Sequence, residues 1–121
     1  MRHDNLRDRT FNYAVATIKA IRPLINEPLG RHLVGQAIRS SAAVASNYRS
    51  ACHARSRRDF ASKISIVAEE AAETSVWLKL FVALDLMKDA VAQPLAAEGE
   101  ELTAIAVASA QTARKVREMP T

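Results

Sequence analysis

The sequence contains few of the residues that cross-link chains, build sheets or cross membranes. Its 121 residues include one cysteine, three glycines and only 5% aromatic residues, so an internal disulfide is excluded and a sheet is disfavoured. The longest nearly continuous apolar run, 76–84, is interrupted by Lys79 and is much shorter than the roughly 20 residues that span a bilayer. Residues 1–5 hold no apolar segment typical of a secretory signal. We therefore expect a cytoplasmic protein without a membrane segment.

Hydrophobic residues make up 49% of the chain and alanine is frequent, which favours helices packed through small residues. A chain of this length suits one domain with a single core, over residues 1–121. The first helix should begin after Asp4 or Asp8, which can cap exposed amides, and should end or kink near 20–22, before Pro23. Its predicted core face carries apolar residues three and four positions apart: Phe11, Ala14, Val15, Ile18, Ile21 and Ile25.

Three further helices are predicted after short connections. The second covers about 31–51 and the third about 56–87, with Ser56 as the expected N-cap. Pro94 suits the first turn of the fourth helix, and Gly99 should weaken its first turns. Three bases near the end of that helix are placed to complement its last carbonyls: Arg114, Lys115 and Arg117. The pattern favours an all-α, up-down-up-down four-helix bundle, with three helices as the alternative if the first one breaks.

The third helix has the most regular pattern. Its apolar positions are separated by steps of four and three, which is a heptad seam: Phe60, Ile64, Val67, Ala71, Thr74, Leu78 and Phe81. Trp77 and Val82 lie off this seam, so the helix carries more apolar surface than three neighbouring helices need. We hypothesise a second apolar face that makes contacts between molecules.

Charge is separated along the chain. Between Arg31 and Lys63 there are seven bases and one acid, whereas residues 64–101 hold two bases and eight acids. Bases surround the corner between the second and third helices: Arg49, His53, Arg55, Arg57, Arg58 and Lys63. Such a cluster beside a helix N-terminus can neutralise phosphates with little sequence preference. Because no known nucleic-acid-binding motif is present, the pattern fits a nucleic-acid surface and a solvated or subunit-facing patch equally well.

Two groups of side chains resemble chemical sites but fit packing or pairing better. The first comprises three glutamates of the third helix: Glu69, Glu70 and Glu73. No histidine follows a glutamate at the spacing that di-iron bundles use, so these acids should pair with Arg39, Arg49 or another subunit. The second is Cys52 and His53, which point about 100° apart on a helix and have no orienting acid beside them. We expect no enzyme, metal, cofactor or small-molecule substrate.

Ordered blocks between residues 33 and 86 resemble one family of helical proteins. The blocks are QAIRSS from Gln36, ASNYRSA from Ala45, RSRRDF from Arg55, EEAAE from Glu69 and WLKL from Trp77. They resemble the four-helix bundle proteins named after intervening sequences of 23S ribosomal RNA, while the outer helices agree only in pattern. Much of that family has Asn-Ile-Ala-Glu-Gly where this chain has a segment with Arg49 and the neutral Ser50. A role for that acid is therefore not carried over.

The resemblance implies a four-helix bundle that assembles as a cyclic homopentamer and has no established enzymatic activity. It also implies kinship with the accessory protein of diversity-generating retroelements, a basic pentamer that works with a reverse transcriptase and nucleic acid. Only the basic character transfers to this chain, at Arg49, Arg55, Arg57, Arg58 and Lys63. We expect a non-enzymatic oligomer that binds RNA or DNA backbone there. The alternative is an interaction scaffold in which this corner pairs with acids of a neighbouring subunit or partner.

Overall fold

The computed structural model describes the backbone of residues 3–118 and the side chains of residues 5–115. This part of the chain contains four α-helices and no strand: α1 (His3–Ile21), α2 (Pro28–Cys52), α3 (Arg57–Ala83) and α4 (Asp89–Glu118). A 3-10 segment, Arg22–Asn26, links α1 to α2. The short connections make consecutive helices antiparallel, and each of α1 and α3 packs mainly against α2 and α4. The predicted all-α fold is confirmed, and the three-helix alternative is wrong.

The ends of α1 and α2 follow from local capping. The helix α1 ends at Ile21, two residues before Pro23, as expected. It begins at His3, so Asp8 lies in its second turn and the prediction of an N-cap there is wrong; the side chain of Asp4 lies outside the described part. The helix α2 begins three residues earlier than predicted, because Pro28 occupies its first turn and Glu27 accepts a hydrogen bond from Leu29 N.

The chain turns out of α3 earlier than the apolar pattern predicted, at Ala83 instead of residue 87. Asp85 adopts φ 60, in the left-handed region that Asp tolerates better than most residues. Leu86 N donates to Phe81 O at 2.9 Å and Asp85 N donates to Val82 O at 3.0 Å. These two bonds form a Schellman motif, which satisfies the last carbonyls of the helix and stops it.

Pro94 lies inside α4, five residues after its start at Asp89, so its prediction in the first turn is wrong. The side chain is exposed, and the turn before it is held by Ala92, which is 2% exposed and belongs to the core. Tertiary packing therefore keeps the helix continuous where a proline would otherwise favour a start. Gly99, ten residues into α4, is buried, so the predicted weakening of a first turn is also wrong.

The heptad seam of α3 forms the centre of the core, as predicted. Six of its seven members are buried and Phe60 is half-buried. Trp77 and Val82 are half-buried against a core cluster that includes Leu78 and Phe81, so these two residues pack within the chain and do not mark a free face. The large apolar side chains of α3 that do remain exposed are Val76 at 60% and Leu80 at 38%, and Leu84 at the C-cap is 42% exposed.

The buried face of α1 is rotated from the predicted one. Phe11 is 61% exposed and Val15 is 36% exposed. The core positions of this helix include two threonines and a tyrosine: Leu6, Thr10, Tyr13, Ala14, Thr17 and Ile21. Because hydroxyl-bearing residues occupy the core, a pattern of purely apolar residues located the face incorrectly.

The outer helices α1 and α4 meet through an ion pair and a close approach. Arg9 Nε donates to Glu98 Oε2 at 3.0 Å, and Arg9 Nη2 lies 3.1 Å from Glu101 Oε1. One turn along α1, Tyr13 covers Gly99, where an added Cβ would lie 2.6 Å from Tyr13 Oη. In the part of the chain that the structure describes, no helix is both long and apolar enough to cross a membrane.

Candidate nucleic-acid interface

The corner between α2 and α3 is built by two helix caps. The helix α2 ends at Cys52, and His53 N donates to Ser50 O at 3.1 Å. Ser56 then adopts an extended conformation, and its Oγ accepts a hydrogen bond from Asp59 N at 3.0 Å. The predicted N-cap is confirmed. This geometry turns the chain within four residues and places the first turn of α3, with its arginines, beside the end of α2.

The structure brings the five predicted site residues to this corner, but it does not leave them equivalent. Four arginines are exposed and form no ion pair among the described side chains: Arg49, Arg55, Arg57 and Arg58. Lys63 is half-buried, and its Nζ lies 3.0 Å from Asp59 Oδ2. The Lys63 ammonium and the amide of Arg55 together lower the pKa of Asp59, which stays ionised. The charge of Lys63 is thus partly neutralised locally.

Two arginines from the outer helices join the corner, because the antiparallel topology places the start of α1 and the end of α4 at the same end of the bundle. Arg7 lines a groove with Arg55 and Arg57, and Arg114 lines another with Arg57 and Arg58. Sequence reasoning missed Arg7 and assigned Arg114 to the helix dipole. The up-down-up-down prediction was the signal that could have found both. The side chain of Arg117 lies outside the described part.

We call this end of the bundle the basic end, defined by six exposed arginines: Arg7, Arg49, Arg55, Arg57, Arg58 and Arg114. It contains two grooves that share Arg57. The first, named the polar groove, has a volume of about 380 Å³ and is lined mostly by polar residues, namely three arginines, two serines and Glu69, together with Ala61 and Ile66. Arg114 Nη2 donates to Ser65 Oγ there at 2.9 Å.

The second groove, named the apolar groove, has a volume of about 860 Å³ and lies between the ends of all four helices. Its floor takes one side chain from each helix: Leu6, Cys52, Phe60 and Ile105. Cys52, Phe60 and Ile105 are half-buried, so part of this apolar surface faces solvent. Arg7, Arg55 and Arg57 stand at the rim.

The glutamates of α3 are paired mainly within the chain. Arg39 Nη1 donates to Glu70 Oε2 at 3.0 Å, and the same guanidinium bonds Glu73. Trp77 Nε1 also donates to Glu73 Oε2 at 3.1 Å. The pairing with Arg39 that the sequence predicted is confirmed, whereas Glu69 faces the polar groove. Among residues with described side chains, no three His, Cys, Asp or Glu groups are placed to hold a metal ion.

Two serines of α2 and the Cys52–His53 pair serve packing and capping. Ser40 and Ser41 are buried, and both hydroxyls donate to Ala37 O. Ser40 Oγ and Thr74 Oγ1 are 2.7 Å apart, which ties α2 to α3. Cys52 lines the apolar groove, while His53 is the exposed C-cap of α2.

Comparisons with known proteins agree with the fold. The 23S rRNA-intervening sequence protein family matches residues 6–108. A crystal structure of a protein with unknown function from the S23 ribosomal protein family of Bacteroides thetaiotaomicron is similar over 92% of this chain and 99% of that chain. Its TM-score is 0.84 at 25% sequence identity. No curated protein matches the chain.

Proposed function

This chain belongs to the 23S rRNA-intervening sequence protein family, and we propose that it is a non-enzymatic bundle that binds the backbone of RNA or DNA. The observation that carries the proposal is the basic end. Six exposed arginines from four helices and one connection gather there without an ion pair among the described side chains. Guanidinium groups bind phosphates by paired hydrogen bonds and charge, and each phosphate neutralised releases a condensed counterion.

The proposal predicts binding with little dependence on nucleotide sequence, strongest at low salt. The test is filter binding of labelled RNA and DNA to the full chain and to a double charge reversal, Arg57→Glu with Arg58→Glu. The matched control reverses two bases at the opposite end of the bundle, Lys19→Glu with Arg22→Glu, for the same change in net charge. We expect the first variant to lose at least tenfold in affinity and the control to lose less than threefold. Absence of binding at low salt, or equal losses in both variants, contradicts the proposal.

We also propose that the bundle assembles as a cyclic homopentamer. Support comes from exposed apolar side chains on α1 and α3, which are diagonal in the bundle: Phe11 and Val15 on one side, Val76 and Leu80 on the other. Two different apolar faces on opposite sides favour head-to-tail contacts, which close into a ring when the rotation allows it. A ring would repeat the basic end and add avidity.

Light scattering tests the assembly. A protomer mass of 13.2 kDa predicts about 66 kDa for the pentamer, and we expect Phe11→Glu or Val76→Glu to lower that mass. A monomer at micromolar concentration contradicts the ring, without bearing on nucleic-acid binding by the single bundle.

The alternative is a scaffold in which the basic corner binds acids of a neighbouring subunit. It is weakened because the acids in the middle of α3 already have partners in the chain, Arg39 for Glu70 and Glu73. Lys79 likewise pairs with Glu100 of α4. The double reversal at Arg57 and Arg58 separates the two functions. Loss of the oligomer favours the scaffold, and an intact oligomer that no longer binds nucleic acid favours the proposed function.

A further inference from the structure

We infer that the basic end prefers single-stranded nucleic acid over a duplex, with unpaired bases in the apolar groove and phosphates on the arginines at its rim. The inference rests on the proposed function and specifies its substrate. It follows because one groove combines open apolar surface with guanidinium groups that form no ion pair among the side chains that the structure describes.

The floor of the apolar groove suits the faces of bases. Phe60 lies in the first turn of α3 and is only half-buried, with Cys52 and Ile105 beside it. A base that leaves its stack can regain stacking on an aromatic ring, a contact available to every base type. A duplex keeps its bases stacked inside and has no equivalent use for an apolar floor.

The rim supplies charge complementarity to the connecting phosphates. Arg7, Arg55 and Arg57 come from α1, from the connection after α2 and from α3, and all three are exposed. None forms an ion pair among the described side chains, so no internal acid has to be displaced. Three separate segments therefore provide cations around a single apolar opening of about 860 Å³.

Arg57 also lines the polar groove, which gives the strand a direction in which to continue. That groove adds Arg58 and Arg114 but contains no aromatic side chain, so it suits phosphates better than bases. Glu69, three turns further along α3, faces the same groove and disfavours phosphates beyond it. We therefore place bases on the Phe60 side of Arg57 and phosphates on the Arg58 side.

The first experiment compares affinities by fluorescence anisotropy at low salt. The probes are a single-stranded RNA, a single-stranded DNA of the same sequence, the duplex of each, and an abasic deoxyribose-phosphate oligomer of equal length. We expect both single strands to bind at least fivefold more tightly than the duplexes and the abasic oligomer. A preference for RNA over DNA would refine the substrate class within the inference, whereas equal or tighter duplex binding overturns it.

Substitutions at Phe60 test the stacking directly, with the matched control at the same position. Phe60→Leu keeps apolar volume and removes the ring, and we expect at least fivefold weaker single-strand binding with duplex binding changed less than twofold. Phe60→Tyr keeps the ring and should retain the single-strand preference. Equal single-strand affinity in both variants overturns the inference.

Cys52 provides a readout in the unaltered protein, because it is the one thiol in the chain and lines the groove. We expect saturating single strands to slow its reaction with a thiol reagent at least fivefold, and saturating duplex or abasic oligomer to change the rate less than twofold. An unchanged rate with bound single strands overturns the inference and leaves the proposed function standing. If no probe binds at low salt, the proposed function itself fails. If an acidic peptide slows the reaction of Cys52 as much as the single strand does, the inference is also overturned.

Discussion

Replacing Gly99 by alanine should destabilise the bundle, although an alanine in a helix is normally the better residue. The helix propensity alone favours Gly99→Ala by about 1 kcal/mol. The added Cβ, however, would lie 2.6 Å from Tyr13 Oη, 2.8 Å from Ser75 Oγ and 3.2 Å from Tyr13 Cζ. Ser75 can rotate its hydroxyl away, but Tyr13 is 3% exposed and is part of a core cluster, so its ring can shift only by disturbing that packing.

The magnitude follows from two opposing terms. Overpacking a close-packed core costs about 1–3 kcal/mol, and two contacts below the normal limit place this site near the upper value. After the propensity gain, we expect a net loss of about 2 kcal/mol. For a chain of this size that lowers the melting temperature by about 8 °C.

The assay is thermal unfolding followed by circular dichroism at equal protein concentrations, because assembly would make the midpoint concentration-dependent. The matched control is Gly35→Ala, in α2, where an added Cβ meets nothing within 4 Å. We expect that variant to gain about 1 kcal/mol. Adding Tyr13→Phe to Gly99→Ala removes the nearest atom and should recover part of the loss. If Gly99→Ala is as stabilising as Gly35→Ala, the packing of α4 against α1 described above is wrong.

Three further predictions concern stability, pH and surface charge. Burial raises the pKa of Tyr13 to about 12, so the free energy of unfolding should fall by about 3 kcal/mol as pH rises from about 10 to 12. Tyr13→Phe should remove that part of the loss in alkaline denaturation. An alkaline profile that is the same in this variant contradicts the burial. Ser56→Ala should lower the free energy of unfolding by about 1 kcal/mol, because the N-cap is lost. The measurement is urea unfolding, with Ser62→Ala at an exposed position of the same helix as the control. Equal midpoints in the two variants would refute the capping role. Arg39→Ala should leave the urea midpoint nearly unchanged, because its ion pairs are exposed to solvent. A clear drop in that midpoint would show that these pairs matter more than their exposure implies.

The parts of the fold that could be predicted from sequence depend on residues close together in the chain. The seam from Phe60 to Phe81 was readable because steps of three and four place its members on one face whatever the neighbours are. The cap at Ser56 and the end of α1 before Pro23 could also be predicted, because each depends on a few adjacent residues.

The parts that were missed depend on contacts between distant segments. Thr10 and Thr17 occupy core positions on α1, which no apolar pattern reveals. The continuity of α4 through Pro94 depends on burial of Ala92 against other helices. Gly99 is required by the side chain of Tyr13, 86 positions earlier in the chain.

The candidate site divides in the same way. The corner arginines, such as Arg55 and Arg57, lie within a few residues of one another and were found from charge clustering. Arg7 and Arg114 reach the same end only through the antiparallel order of the helices. The ion pair between Asp59 and Lys63 has the four-residue spacing typical of helices, so its partial neutralisation could have been anticipated from sequence.

The most direct test of the central claim is the salt dependence of duplex binding by the full chain. If the basic end binds phosphates, log Kobs should fall linearly with log salt concentration, and six phosphate contacts predict a slope of about −5 for one basic end. The double reversal at Arg57 and Arg58 should reduce the magnitude of that slope by about two. A slope near zero, or an unchanged slope in the variant, would contradict the claim that this end of the bundle binds nucleic acid.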